Sequence, residues 1–91
     1  MRITPWNLRF HELIGLEVEV LRHLDPGLVG VRGVVEWETP RALLVSRGER
    51  RILILKSGAL FAFHIPGGGR VVVPGDDILG GPAQRVKRLR R

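Results

Sequence analysis

The chain predicts a mainly β fold: a small antiparallel barrel of five or six strands, with a short N-terminal helix and a basic C-terminal helix or tail. Three observations predict it. Short runs of strand-favouring residues follow one another almost without pause from Leu16 to Val73. Gly, Pro and Asp punctuate them as turns. Two glycines interrupt the run LVGVRGVVEWET at Gly30 and Gly33, as a sharply bent strand requires. With 91 residues the chain makes one domain. It divides into a helix over 1–15, a barrel over 16–79 and a basic segment over 80–91.

Each element has its own signal. Thr4-Pro5 opens the helix as N-cap and first helical residue. Trp6, Phe10, Leu13 and Ile14 form one apolar stripe, and Gly15 ends it. Leu16 to Val20 alternates apolar with acidic, a half-buried strand. Asp25-Pro26-Gly27 turns the chain into the strand Leu28–Glu38, and Thr39-Pro40-Arg41 turns it again. Ala42–Arg47 and Arg50–Lys56 pair across a tight Gly48-Glu49 hairpin, and the ILIL run predicts burial of both faces of the second. Ala59–Ile65 places Phe61, Phe63 and Ile65 on one face, Gly67–Gly69 connects, and Arg70–Val73 is the last strand. Gly80-Gly81-Pro82 then frees the chain.

The two glycines lie three apart, so in a continuous strand they fall on opposite faces. Val29, Val31, Val35 and Trp37 share one face around Gly33; Arg32, Glu36 and Glu38 share the other with Gly30. A strand serving both halves of a barrel loses a side chain on its concave side. The competing reading is a pair of bulges at a sheet edge.

Composition narrows the function. No cysteine is present, which excludes a disulfide framework and a thiolate zinc site. The stretch MRITPWNLRF lacks the long apolar core of a secretion signal, and no apolar run reaches a membrane span, so the cytoplasm is the expected compartment. The net charge is +6, and residues 85–91, RVKRLRR, hold five basic groups and no acid. That leaves ten basic against nine acidic residues in the body. A near-neutral body with a basic end suits a polyanion, above all nucleic acid.

Little else suggests chemistry. His11, His23 and His64 fit no metal-ligand spacing, and His64, between Phe63 and Ile65, is expected to face solvent. Asp76-Asp77 could hold magnesium but suits a turn or cap better. Gly67–Gly69 lacks the lysine and helix of a phosphate loop. No catalytic or metal-binding residue is predicted. The candidate RNA contacts are Arg85, Lys87, Arg88, Arg90 and Arg91, with Arg22, Arg32, Arg41 and Lys56 as secondary contributors from the barrel. The five C-terminal cations alone could give a slope of about −4 in log affinity against log salt. On a helix Ala83, Val86 and Leu89 would pack on the barrel with the arginines outward; a tail that orders on RNA is the alternative. Trp6 and Phe10 either seal the core or dock a protein partner.

Glu12-Leu13-Ile14-Gly15-Leu16, Val18-Glu19-Val20, Asp25-Pro26, Leu28-Val29-Gly30, Gly33-Val34-Val35 and Glu38-Thr39 together resemble ribonuclease P protein component 1, an archaeal family with an Sm-like/SH3-like barrel. Lys56, Gly58-Ala59-Leu60-Phe61, Gly75, Leu79-Gly80, Pro82 and Arg85-Val86-Lys87 continue the likeness in order. His23 to Gly27, Pro40, Ala42, Gly81, Ala83 and Gln84 depart from the family's usual residues. The resemblance implies a noncatalytic, RNA-binding subunit of the RNA-based endonuclease that removes the 5′ leader from precursor tRNA. It implies ribonuclease P RNA, precursor tRNA, a zinc-ribbon protein subunit and other subunits as partners. Magnesium would belong to the holoenzyme RNA, with no cofactor on this chain. Two readings stand beside it: a KOW-type ribosomal or transcription-linked barrel, which the Val18-x-Val20 and Gly30-x-x-Gly33-x-Val35 pattern also resembles, and a protein-interaction barrel anchored by Trp6 and Phe10.

Overall fold

Alternating apolar residues and tight turns give six antiparallel strands: β1 Glu17–Arg22, β2 Arg32–Glu38, β3 Ala42–Arg47, β4 Arg50–Leu55, β5 Leu60–His64 and β6 Arg70–Pro74. The structure is a computed structural model and describes residues 3–4, 7–8, 11–81 and 83–85. Short 3-10 turns at Pro26–Leu28 and Gly75–Ile78 complete it. The order across the sheet is β4-β3-β2-β1-β5-β6. The mainly β, six-stranded antiparallel prediction therefore holds, and β3 has the predicted bounds.

One face of the bent sheet closes over an aliphatic core with two adjacent phenylalanines. Val18 and Val20 of β1, Val35 of β2, Leu43 and Val45 of β3, Ile54 of β4, Phe61 and Phe63 of β5 and Val73 of β6 are all buried, joined by Leu8, Leu13 and Ile78. The Phe61 and Phe63 ring centroids lie 5.9 Å apart in a tilted arrangement, within the favourable range for aromatic pairs.

Hydrogen bonding does not close the sheet. Among the described residues no strand pairing joins β4 to β6. The chain leaving β6 bridges the gap instead. Gly75 donates to the Ala59 carbonyl at 2.8 Å and seats against the Lys56 carbonyl, where a Cβ would overlap backbone. Gly80 donates to the Pro40 carbonyl at 2.8 Å, in the turn between β2 and β3.

The two interrupting glycines serve different purposes. Gly33 lies within β2, opposite Val18, and a Cβ there would overlap the Ser46 carbonyl oxygen and sit 2.7 Å from Val45 Cγ1. This is the concave corner that the sequence predicts. Gly30 is not in the strand. It has φ +88° with nothing within 4 Å of a Cβ, so it is required for its backbone conformation and not for space.

Three expectations are corrected. The predicted alternation along β2 fails after Val35. The register to β3 runs Val35 to Val45 and then Trp37 to Leu44, so Glu36 is an extra residue. This bulge turns Trp37 outward, 60% exposed, and carries Glu38 inward, 8% exposed. β4 is not buried on both faces: Ile54 is fully buried, but Leu53 and Leu55 are 60% and 55% exposed. β4 has core against one face only, the face of Ile54. The helix expected over 1–15 does not reach Gly15. Thr4 and Asn7 cap each other, and Leu8 donates to Thr4, but from His11 on the chain is irregular. Gly15 donates instead to the Val35 carbonyl, which fastens this segment to β2. Residues 83–85 form a helical turn, with Arg85 N donating to Gly81 O at 3.1 Å. The question of helix or tail over residues 86–91 lies outside the described residues.

Gly33→Ala is expected to destabilise the fold by about 1–3 kcal/mol, the range for overpacking. Thermal unfolding checks this, with a midpoint lowered by about 4–8 °C per kcal/mol for a domain this small.

Candidate nucleic-acid interface

The bulge in β2 determines the chemistry at one end of the barrel, because it sends a carboxylate into the interior. Glu38 Oε2 accepts from Lys56 Nζ at 2.6 Å and from Arg85 Nη1, and Oε1 accepts from Arg85 Nη2 at 3.1 Å. All three side chains are at most 1% exposed. Two cations share one anion, so the excess charge falls on backbone carbonyls. Lys56 Nζ also donates to Ile78 O at 2.8 Å and Gly80 O at 3.2 Å. Arg85 donates from Nη1 to Gly80 O at 2.8 Å and from Nη2 to His11 O at 2.7 Å. The planar guanidinium fork thus bridges the N-terminal segment, β2 and the chain after β6.

This corrects two sequence-predicted RNA contacts. Arg85 and Lys56 are not surface groups: both are buried, with Lys56 Nζ and the two Arg85 Nη atoms directed to Glu38 and to carbonyls. Three other candidates are exposed, as expected. Arg22 ends β1 beside Leu60, Arg41 lies in the turn before β3, and Arg32 begins β2. Arg22 and Arg41 have no ion-pair partner among the described residues, whereas Arg32 Nη2 is held by Glu17 Oε1 at 2.9 Å. Lys87, Arg88, Arg90, Arg91, Trp6 and Phe10 lie outside the described residues.

The ends of β2 and β4 and the start of β3 lie together, with Arg41 and the buried ion cluster. The short turn from β4 into β5 brings this group against the end of β1, with Arg22, the start of β5 and the end of β6. His23 reinforces this junction. Its Nδ1 accepts from Asp25 N at 2.9 Å, which leaves Nε2 as the donor to Leu55 O at 3.0 Å. The start of β2, the end of β3 and the start of β4 carry Arg32, Arg47 and Arg50, with Arg47 directly across from Arg50, and Arg70 begins β6 across from His64. Sequence reading assigned nothing to Arg47, Arg50, Arg51 or Arg70. Arg51 is paired with Glu36 at 2.9 Å.

The remaining polar groups build structure. No group of three or more His, Cys, Asp or Glu side chains able to hold a metal occurs among the described residues. Asp76 Oδ1 accepts from Gly58 N at 3.1 Å, a turn-fastening role. His64 does not face solvent as expected; it is half-buried and its Nε2 is closed off. The glycines at 67–69 connect β5 to β6, with Gly68 N bonded to Ile65 O. On the outer face, Trp37, Leu44 and Leu53 form one cross-strand row at the β4 edge, with Leu55 beside it.

The family model for ribonuclease P/MRP subunit p29 matches residues 6–88. The chain belongs to this p29 family. A ribonuclease P protein component 1 from Hyperthermus butylicus is 51% identical over 92 aligned positions, covering 100% of this chain and 83% of that protein. One from Desulfurococcus amylolyticus is 41% identical and covers both chains fully (100% of each). A solved structure of Mth11, a homologue of human RNase P protein Rpp29, matches with TM-score 0.62 and 34% identity, over 82% of this chain and 97% of that one. Family membership decides between the readings left open by the sequence, against the KOW-type and the interaction-only barrel.

In this p29-family chain the cluster residue that sequence reading missed is Glu38, assigned to the polar face. The bulge that moves it inward leaves no mark in an alternation pattern. One signal was available: Lys56 is the lone lysine in a body otherwise supplied with arginine. Its slim stem and compact ammonium suit a closed site.

Glu38→Gln leaves two buried cations without a countercharge and should cost about 3–5 kcal/mol in urea unfolding. Glu17→Gln, which breaks the exposed pair with Arg32, should cost at most about 1 kcal/mol in the same measurement.

Proposed function

We propose that this chain is the RNA-binding protein subunit of ribonuclease P, supporting the catalytic RNA as it removes the 5′ leader from precursor tRNA. The observation that carries the reading is the family match over residues 6–88. The chain has no catalytic role of its own. Magnesium serves the RNA of the holoenzyme. The working compartment is the cytoplasm, consistent with the lack of any helix long and apolar enough to cross a membrane among the described residues.

RNA is met at the end of the barrel that carries Arg22 and Arg41, where the chain also enters its basic run Lys87, Arg88, Arg90 and Arg91. Arginine suits this work because its planar fork grips phosphate oxygens in pairs. Affinity then comes from phosphate neutralisation and shape rather than base reading, since the sheet offers few exposed rings for stacking. The zinc-ribbon subunit docks on the apolar row at the β4 edge. A Trp that is 60% exposed, with Leu53 and Leu55 beside it, is an anchor of the kind that protein interfaces favour. Trp6 and Phe10 extend the same role at the N-terminus.

Reconstitution tests the function directly. Adding the protein to ribonuclease P RNA and the other subunits should raise precursor-tRNA cleavage at limiting magnesium; an unchanged rate would defeat the proposal. Deleting residues 86–91 removes four cations and should lower the salt slope of RNA binding by about 3. Trp37→Ala should weaken the zinc-ribbon partner by about 2 kcal/mol or more in calorimetric titration, the size of an interface hot spot, while leaving the melting temperature nearly unchanged.

A further inference from the structure

Arg85 immediately precedes the basic run, yet it is 1% exposed. Its guanidinium meets Glu38, the Ile78 and Gly80 carbonyls and the His11 carbonyl. Residue 11 and residue 85 are thereby held 2.7 Å apart, donor to acceptor, although 74 positions separate them. An apolar anchor could fill the same space but could rotate within it. A fork bonded on both nitrogens to acceptors from three stretches of chain fixes direction as well as depth. The chain continues from that fixed point.

We propose that Arg85 is a positioning residue for RNA binding: seated on Glu38, it fixes where the basic segment 86–91 leaves the barrel, and it touches no phosphate itself. This rests on the reading of that segment as an RNA contact. The physical gain is preorganisation. With the root of the segment already immobile, RNA need order only the side chains beyond it. Lys56 holds Glu38 in place from the other side. Neither cation adds to the charge that RNA meets at the surface.

The test compares four chains: the full protein, Arg85→Met, a deletion of residues 86–91, and the deletion combined with Arg85→Met. Each is titrated against a transcribed archaeal ribonuclease P RNA by fluorescence anisotropy over a series of KCl concentrations. Circular dichroism sets a temperature at which every variant is folded. In the full chain Arg85→Met should weaken binding roughly three- to tenfold, the scale of freeing one or two ordered side chains. The salt slope should not change, because no phosphate contact is lost. In the truncated chain the same substitution should have no effect. Arg85→Lys keeps the charge but loses the fork; it should recover part of the affinity, and it carries the same comparison if Arg85→Met does not fold. A slope reduced by about 0.7–0.9 would mean that Arg85 reaches a phosphate, and would overturn the proposal. Equal losses in the full and truncated chains, or no loss in either, would overturn it too. If the truncated chain binds as tightly as the full one, the RNA reading of residues 86–91 itself fails and takes the inference with it. Failure of the Arg85 comparisons alone leaves that reading standing.

Discussion

A single buried carboxylate fastens this barrel at the place where its strand pairing stops. Among the described residues the sheet ends in two unpaired edges, β4 and β6, and nothing in the strand ladder joins them. Glu38 from β2 gathers Lys56 from the end of β4 and Arg85 from beyond β6. Carbonyls of His11, Pro40, Ile78 and Gly80 take the rest of the positive charge. In a low-dielectric interior such a group is costly unless every donor is met. Here nearly all are, the Arg85 Nε being without a partner. The fastening is therefore directional. Hydrophobic burial alone would let the chain after β6 settle in several ways, whereas the cluster specifies one.

That fastening depends on a local irregularity. Without the extra residue at Glu36, the alternation of β2 would bury Trp37 and expose Glu38. With it, Trp37 is free on the outer face beside Leu53 and Leu55, and the carboxylate faces inward. One bulge thus supplies both an exposed apolar row and the anion of the internal cluster. Gly33 does the complementary work at the other end of the strand. By lacking a Cβ it lets β2 lie against Ser46 and Val45 closely enough for the sheet to bend.

Charge follows from the same geometry. The chain carries +6, but the structure separates arginines by role as well as by position. Arg32 and Arg51 are engaged with Glu17 and Glu36, Arg85 is interior, and Arg22 and Arg41 stand exposed at the end where the basic run begins. Surface ion pairs contribute little to stability, so the free arginines matter chiefly for what approaches them. A near-neutral body with a cationic end orients an incoming polyanion without binding it indiscriminately over the whole surface.

The sequence by itself determined the strands, the turns, the corner at Gly33 and the family. Those depend on local rules: alternation over a few residues, glycine where backbone approaches backbone, and an ordered set of short matches along the chain. It also located the basic end, because net charge sums directly from composition. It did not reveal that Glu38, Lys56 and Arg85 belong to one cluster, nor that the first and last segments meet. Those facts depend on a one-residue change of phase in β2 and on contacts between residues 18 to 74 positions apart. A side chain's charge is legible in its letter. Whether that charge faces water or a buried partner is decided only when the sheet has bent and the chain after β6 has crossed its open seam.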